Sequence, residues 1–207
     1  LVLEVSRIAA IARRMALAAL SAESGPGKRI ASDHMVAEKL SQAVAEFITR
    51  LGSRSLIGEV SEQLTAMLRA EQHLLACANE ALRVARSQAE LEPVADAELA
   101  MKIANYRSEV VSLMELTNPE LEDFSYVDCE AQLERVQASY DDAKVALLHA
   151  GTELRTPIPG MIDILEQNSR IRRMARQMVK GIRLLSQLHT MTEVKKPETV
   201  EDAVESE

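Results

Sequence analysis

Residues Ile158–His189, IPGMIDILEQNSRIRRMARQMVKGIRLLSQLH, carry the longest uninterrupted helical pattern in the chain. An amphipathic helix of this length is held by packing its apolar stripe far more than by its own propensity. The rest of the chain must therefore supply other helices to pack against it. Leu56–Ala85 is the obvious counterpart, a second long helical pattern in the first half of the sequence. The later helix is also where cations gather: Arg170, Arg172, Arg173, Arg176, Lys180 and Arg183 fall within fourteen residues of a protein whose net charge is −8.

Composition supports an all-α reading. Aromatic residues make up 2% of the chain, with no Trp, three Tyr and two Phe, which argues against β-sandwiches and barrels. Ala, Leu, Glu, Arg, Gln and Met are abundant, while Gly and Pro number only seven and six, as long helices require. The acidic balance argues against general binding of nucleic acid or anionic membranes. No run approaches the roughly 18 apolar residues of a membrane span, and no signal peptide is expected. Cys77 and Cys129 fall inside helical patterns and read as buried thiols.

Taken in order, the periodicities predict six helices. Leu1–Leu20 carries Val5, Ile8, Ala12, Met15 and Ala19 at steps of three and four. A break at residues 21–27 leads to a second helix over Asp33–Leu51, with Asp33 or Ser32 as N-cap. Its predicted stripe is Val36, Leu40, Val44, Phe47 and Leu51. A short turn at Ser53-Arg54-Ser55 precedes Leu56–Gln88, whose stripe runs Leu56, Val60, Leu64, Met67, Glu71, Leu74, Ala78, Leu82, Ala85. Helix four is expected over Pro93–Thr117, with Pro93 in the first turn. Asn118-Pro119 reads as the start of a short extra turn, and helix five as Asp128–His149. Thr156-Pro157-Ile158-Pro159-Gly160 is a rigid entry into helix six. From Thr192 onward periodicity is lost and acidic residues accumulate, which predicts a disordered tail.

Helix lengths repeat as medium, medium, long and again medium, medium, long, an internal repeat offset by about a hundred residues. The expected fold is all-α: six helices in two repeated antiparallel three-helix bundles. Residues 1–90 form the first bundle, 91–191 the second, and 192–207 the acidic tail. A helical pattern already running at Leu1 leads to the expectation that the chain is part of something longer.

Two features stand out as candidate sites. Arg172, Arg176 and Arg183 lie nearly on one line of helix six, with Arg173 and Lys180 beside it. Such a stripe can dock an acidic partner, lipid headgroups or phosphate, or it can be a solvated face paired with acids of neighbouring helices. Glu71 falls near the middle of an apolar face, where a carboxylate must be paired or protonated. It reads either as a remnant metal ligand or as a structural partner of an Arg or of Asn168, which also sits in the stripe of helix six. His73 points roughly the opposite way and is expected to be exposed. His34, His149 and His189 show no ligand spacing. The sequence contains no GxGxxG, P-loop, HExxH, GxSxG or CxxC pair, and an enzyme built in a helical bundle would need several converging Glu and His where only Glu71 is placed.

This organisation resembles the PhoU family. Its members are built from two repeated three-helix bundles, each with a long helix bearing a signature of the type Leu-Glu-Arg-Ile-Ala-Asp-His-Ala. The Glu and Asp of that signature help hold a surface metal cluster. The first signature falls on Ala70-Glu71-Gln72-His73-Leu74-Leu75-Ala76-Cys77, keeping the Glu as Glu71 and replacing the Asp with Leu75. The second falls on Ile171-Arg172-Arg173-Met174-Ala175-Arg176-Gln177-Met178. There Arg173 matches the family's basic position, while Arg172 and Arg176 stand where the carboxylates would be. A metal cluster needs several converging oxygens or imidazoles, so the family's metal site is expected to be lost, with Glu71 as its remnant, and no cofactor is expected.

Divergent members of the family form the cytoplasmic C-terminal region of bacterial Na/Pi-type sodium/phosphate cotransporters. Stand-alone members resemble metal-binding regulators of phosphate uptake and its two-component signalling. The resemblance implies a non-enzymatic regulatory or interaction domain in phosphate transport, with the cotransporter branch as the first expectation. Its expected place is the cytoplasmic face of the inner membrane as part of a larger protein, or the soluble cytoplasm for the stand-alone form. Partners are then proteins, the chain's own upstream transmembrane region, or a second copy in a homodimer.

Overall fold

A computed structural model describes residues 1–21, 27–52 and 58–193, and the described side chains end at Leu188. They form six helices: α1 (Val2–Leu20), α2 (Gly27–Gly52), α3 (Gly58–Gln88), α4 (Ala97–Leu116), α5 (Tyr126–Thr152) and α6 (Ile158–Glu193). The all-α expectation holds, and no strand occurs among the described residues. Helices α1, α2 and α3 all touch one another, as do α4, α5 and α6. The most extensive contact joins the two long helices, α3 and α6. The main buried cluster runs from Val5, Ile8 and Met15 of α1 through Leu74 and Ala78 of α3 to Ile171, Met174 and Met178 of α6.

Several boundaries move for local reasons. α2 begins at Gly27, ahead of the predicted Asp33, because Ile30 is already fully buried and anchors an earlier turn. Asp33 is therefore not an N-cap; it receives the Arg14 guanidinium in a fork, Nε to Oδ2 at 2.9 Å and Nη2 to Oδ1 at 2.8 Å. Such paired bonds fix orientation as well as adding energy. Together with the His34–Asn79 hydrogen bond to α3, this contact sets the rotation of α2. Ile30, Ala37 and Val44 point inward, while the expected core residues Val36 and Phe47 are 46% and 48% exposed.

Pro93 lies ahead of α4 rather than in it, and Asp96 caps the helix by accepting from the Leu99 amide at 3.1 Å. Asn118-Pro119 opens a series of turns, not a helix. Ser125 caps α5 by accepting from the Asp128 amide at 3.4 Å, so the helix starts at Tyr126. The predicted turn at Ser53–Ser55 and the tail beyond Glu193 lie outside the described residues.

α5 ends in a Schellman pattern: Leu154 N–H to Gly151 O at 3.2 Å and Arg155 N–H to Ala150 O at 2.9 Å. The left-handed residue this motif requires is Leu154, at φ 58°. A side chain there costs about 1 kcal/mol relative to glycine.

α3 and α6 are antiparallel, and their register is readable from side chains. Ser87 meets Gln167, Arg173 meets Glu80, and His73 meets Gln177 at 2.7 Å. Gly181 lies so close to Leu74 that an added Cβ would sit 2.6 Å from its side chain. His73 is thus half-buried between the long helices, not exposed as its position opposite the α3 stripe predicts. The wide α3–α6 contact covers more of α3 than one stripe.

Candidate functional site

The contacts that lock α6 against α3 also decide where its cations point. Arg173 faces α3 and donates to Glu80 Oε1 at 3.3 Å. Arg172 turns the other way, with its guanidinium carbon 4.2 Å from the ring centroid of Tyr140 on α5. A cation over an aromatic face is held by the ring quadrupole. Tyr140 packs edge-on against Tyr106 of α4, centroids 5.7 Å apart, and shares a 3.1 Å hydrogen bond with Ser169. The Tyr106 hydroxyl donates to the Asn168 carbonyl at 3.0 Å. Burial drives the Tyr106 phenol upward, with the neighbouring Tyr140 adding to it. Arg172 thus belongs to the packing between α4, α5 and α6.

Arg176, Lys180 and Arg183 remain on the solvent side and line one wall of a groove of about 500 Å³ between α5 and α6. Tyr126, Glu130, Glu134 and Gln137 of α5 form the facing wall, and Leu133 and Val179 supply apolar surface between them. Arg176 donates to Gln137 Oε1 at 2.8 Å, and Gln137 in turn donates to Asp141 at 2.9 Å. Tyr126 donates to Glu130 at 2.8 Å. Partial burial, followed by that carboxylate, pushes the Tyr126 phenol up to about 12, against the opposing pull of Arg183. Among the described residues, no carboxylate stands within ion-pairing distance of Arg176, Lys180 or Arg183. Two acids and three bases leave the groove with a surplus of one positive charge, and the bases share one wall.

Glu71 is buried, at 5% exposure, as its place in the stripe predicts. Its expected pairing with Asn168 does not form. The α3–α6 register puts Asn168 beside the last turns of α3 and Glu71 near Gly181, roughly 20 Å away along the helix. Asn168 is itself 1% exposed, and neither atom of its side-chain amide has a hydrogen-bond partner. Leu75 is half-buried, and Arg172 and Arg176 both turn toward α5. No group of three or more His, Cys, Asp and Glu side chains gathers in a metal-binding arrangement among the described residues.

The α5 wall was not marked by sequence reasoning. Tyr126, Glu130, Glu134 and Gln137 recur at steps of four and three beside the buried Cys129 and Val136. That spacing shows they share a face; which helix lies across from them is a tertiary fact.

No family model matches the chain, and no curated protein matches it in sequence. The fold does have a counterpart. The crystal structure of PhoU from Pseudomonas aeruginosa superimposes with a TM-score of 0.67 at 13% identity, covering 91% of this chain and 94% of that one. The chain therefore has a PhoU-like fold, in agreement with the resemblance read from its repeat and signatures. No helix among the described residues is long and apolar enough to cross a membrane.

Proposed function

We propose that this chain is a non-enzymatic, PhoU-like regulatory module of phosphate handling, and that it works by holding a protein partner in the groove between α5 and α6. The observation that carries the reading is the six-helix architecture, which matches PhoU over nearly the full length of both chains. The stand-alone form of that regulator is the version this match supports best. Its metal chemistry is set aside, because Leu75, Arg172 and Arg176 occupy three of the four carboxylate positions. Arg176, Lys180 and Arg183 are the docking cations. Arg172 and Arg173 support the surface from behind, through Tyr140 and Glu80.

The test is deletion of the coding segment in its host, followed by phosphate uptake and a phosphate-starvation reporter under replete conditions. Uptake and reporter should both rise. The wild-type chain should restore control, and R176E/K180E/R183E should not. Unchanged uptake and reporter would sink the regulatory reading.

A module attached to a Na/Pi-type cotransporter is the second reading. The arginines at the signature carboxylate positions favour it, as a divergence from the metal-binding form. It requires apolar spans of about 20 residues encoded upstream of Leu1; reading that coding sequence decides the matter.

A further inference from the structure

The two walls of the groove continue past its end. An α-helix returns to the same line every eighteen residues, which is five turns and about 27 Å. On α6, Ile158 and Ile162 stand that far before Arg176 and Lys180; on α5, Leu148 stands that far beyond Glu130. The two helices keep one antiparallel register over the whole span: Gly151 lies against Met161, Tyr140 beneath Arg172, and Gln137 beside Arg176. One face of the α5–α6 hairpin is therefore charged at one end and apolar at the other.

At the apolar end Leu148 is 42%, Ile158 54% and Ile162 53% exposed, and Leu154 in the connecting turn is 83% exposed. A single surface leucine needs no explanation, but four large aliphatic side chains at one end of one face make a patch. Between the ends the acids already have partners: Glu166 is paired with Arg170, and Asp141 accepts from Gln137.

We propose that the partner held by this surface presents a helix of about seven turns, acidic at one end and apolar at the other. Its acids lie over Arg176, Lys180 and Arg183, and its apolar end covers Leu148, Ile158 and Ile162. The inference rests on the groove being a docking site and specifies the occupant. Exposed ion pairs are individually weak and screened by salt, so the cations steer and orient the helix while the apolar end supplies most of the affinity. The opposed ends also fix direction, because a reversed helix would set its apolar residues against guanidinium groups.

The probe is a synthetic helical peptide of about 25 residues, with Leu at steps of four and three at one end and Glu at the same steps about eighteen residues away. A control of identical composition interleaves the Leu and Glu along the same face. The full chain should bind the first peptide about tenfold more tightly than the control. I158S/I162S and R176E/K180E/R183E should each weaken that binding about tenfold; all five positions are exposed, so circular dichroism should match the parent. A nitroxide on the Leu end should broaden amides at the α5–α6 turn, and one on the Glu end those of residues 176–183. In the deletion strain, I158S/I162S should fail to restore control of phosphate uptake.

Equal binding of the two peptides, equal broadening from either label, or full activity of I158S/I162S in either assay would overturn the proposal. If R176E/K180E/R183E still impairs control, the docking reading stands without it; if the triple reversal changes nothing, both fall. Two other occupants would also overturn it. A dimer in sedimentation that I158S/I162S dissociates would make a second copy the occupant. Flotation with phosphatidylglycerol vesicles that the same pair abolishes would make it a membrane.

Discussion

α6 meets α3 on one side and α5 on the other, and the two contacts differ in kind. Against α3 the helix offers Gly181, which is buried. The backbones approach until Gly181 leaves no room for a methyl group beside Leu74. Polar residues at the margins of that contact, Gln167, Arg173 and Gln177, each find a partner on α3. Toward α5, packing is close from Gly151 against Met161 to Tyr140 beneath Arg172, and beyond Tyr140 the helices part into a groove lined by long charged side chains. Close contact needs small residues that let helix axes come near; long cations keep their heads in water and hold neighbours apart. One helix thus offers a packed face on one side and an open, charged face on the other.

Substitutions should separate the two sides by size and sign. Leu74→Ala opens a cavity at the tightest point of the α3–α6 contact and should lower unfolding free energy by about 2–5 kcal/mol, measured by urea denaturation. Asn168→Leu should raise stability by about 1–3 kcal/mol, since it removes a buried amide with no partner and leaves the carbonyl that Tyr106 uses. A lower melting temperature would show that the Asn168 amide is satisfied in solution. Gly181→Ala should cost about 1–3 kcal/mol in overpacking, less the roughly 1 kcal/mol that alanine gains over glycine in a helix. A stabilised variant would mean that Leu74 has room to move.

Away from the α3–α6 contact the expected changes are smaller. Leu154→Gly should stabilise by about 1 kcal/mol, because the residue is left-handed and its side chain is 83% exposed, with little packing to lose. R176E/K180E/R183E should shift stability by no more than about 0.5 kcal/mol while abolishing docking. A large loss of stability in that variant would break the contrast between a packing side and a recognition side.

The core stripe of α1 was legible, and Val5, Ile8, Ala12, Met15 and Ala19 are buried as their spacing predicts. α2 was not legible in the same way. It carries two apolar lines, one through Ile30, Ala37 and Val44 and another through Val36, Leu40 and Phe47. Periodicity cannot choose between them. Arg14–Asp33 and His34–Asn79, contacts to two other helices, make the choice. The cations of α6 show the same division: their clustering is visible in the sequence, their separate destinations are not.

The sequence alone determined the helical class, the order and number of helices, the repeated long third member and the burial of Glu71. Each follows from local periodicity, which depends only on neighbours within a turn or two. The tertiary structure decided the rotation of α2, the distance between Glu71 and Asn168, the stacking of Arg172 on Tyr140 and the groove that unites Arg176, Lys180 and Arg183. Those depend on the register between helices distant in sequence. That register is set jointly by close backbone approach at Gly181 and by polar pairs more than seventy residues apart, such as Ser87 with Gln167 and His73 with Gln177.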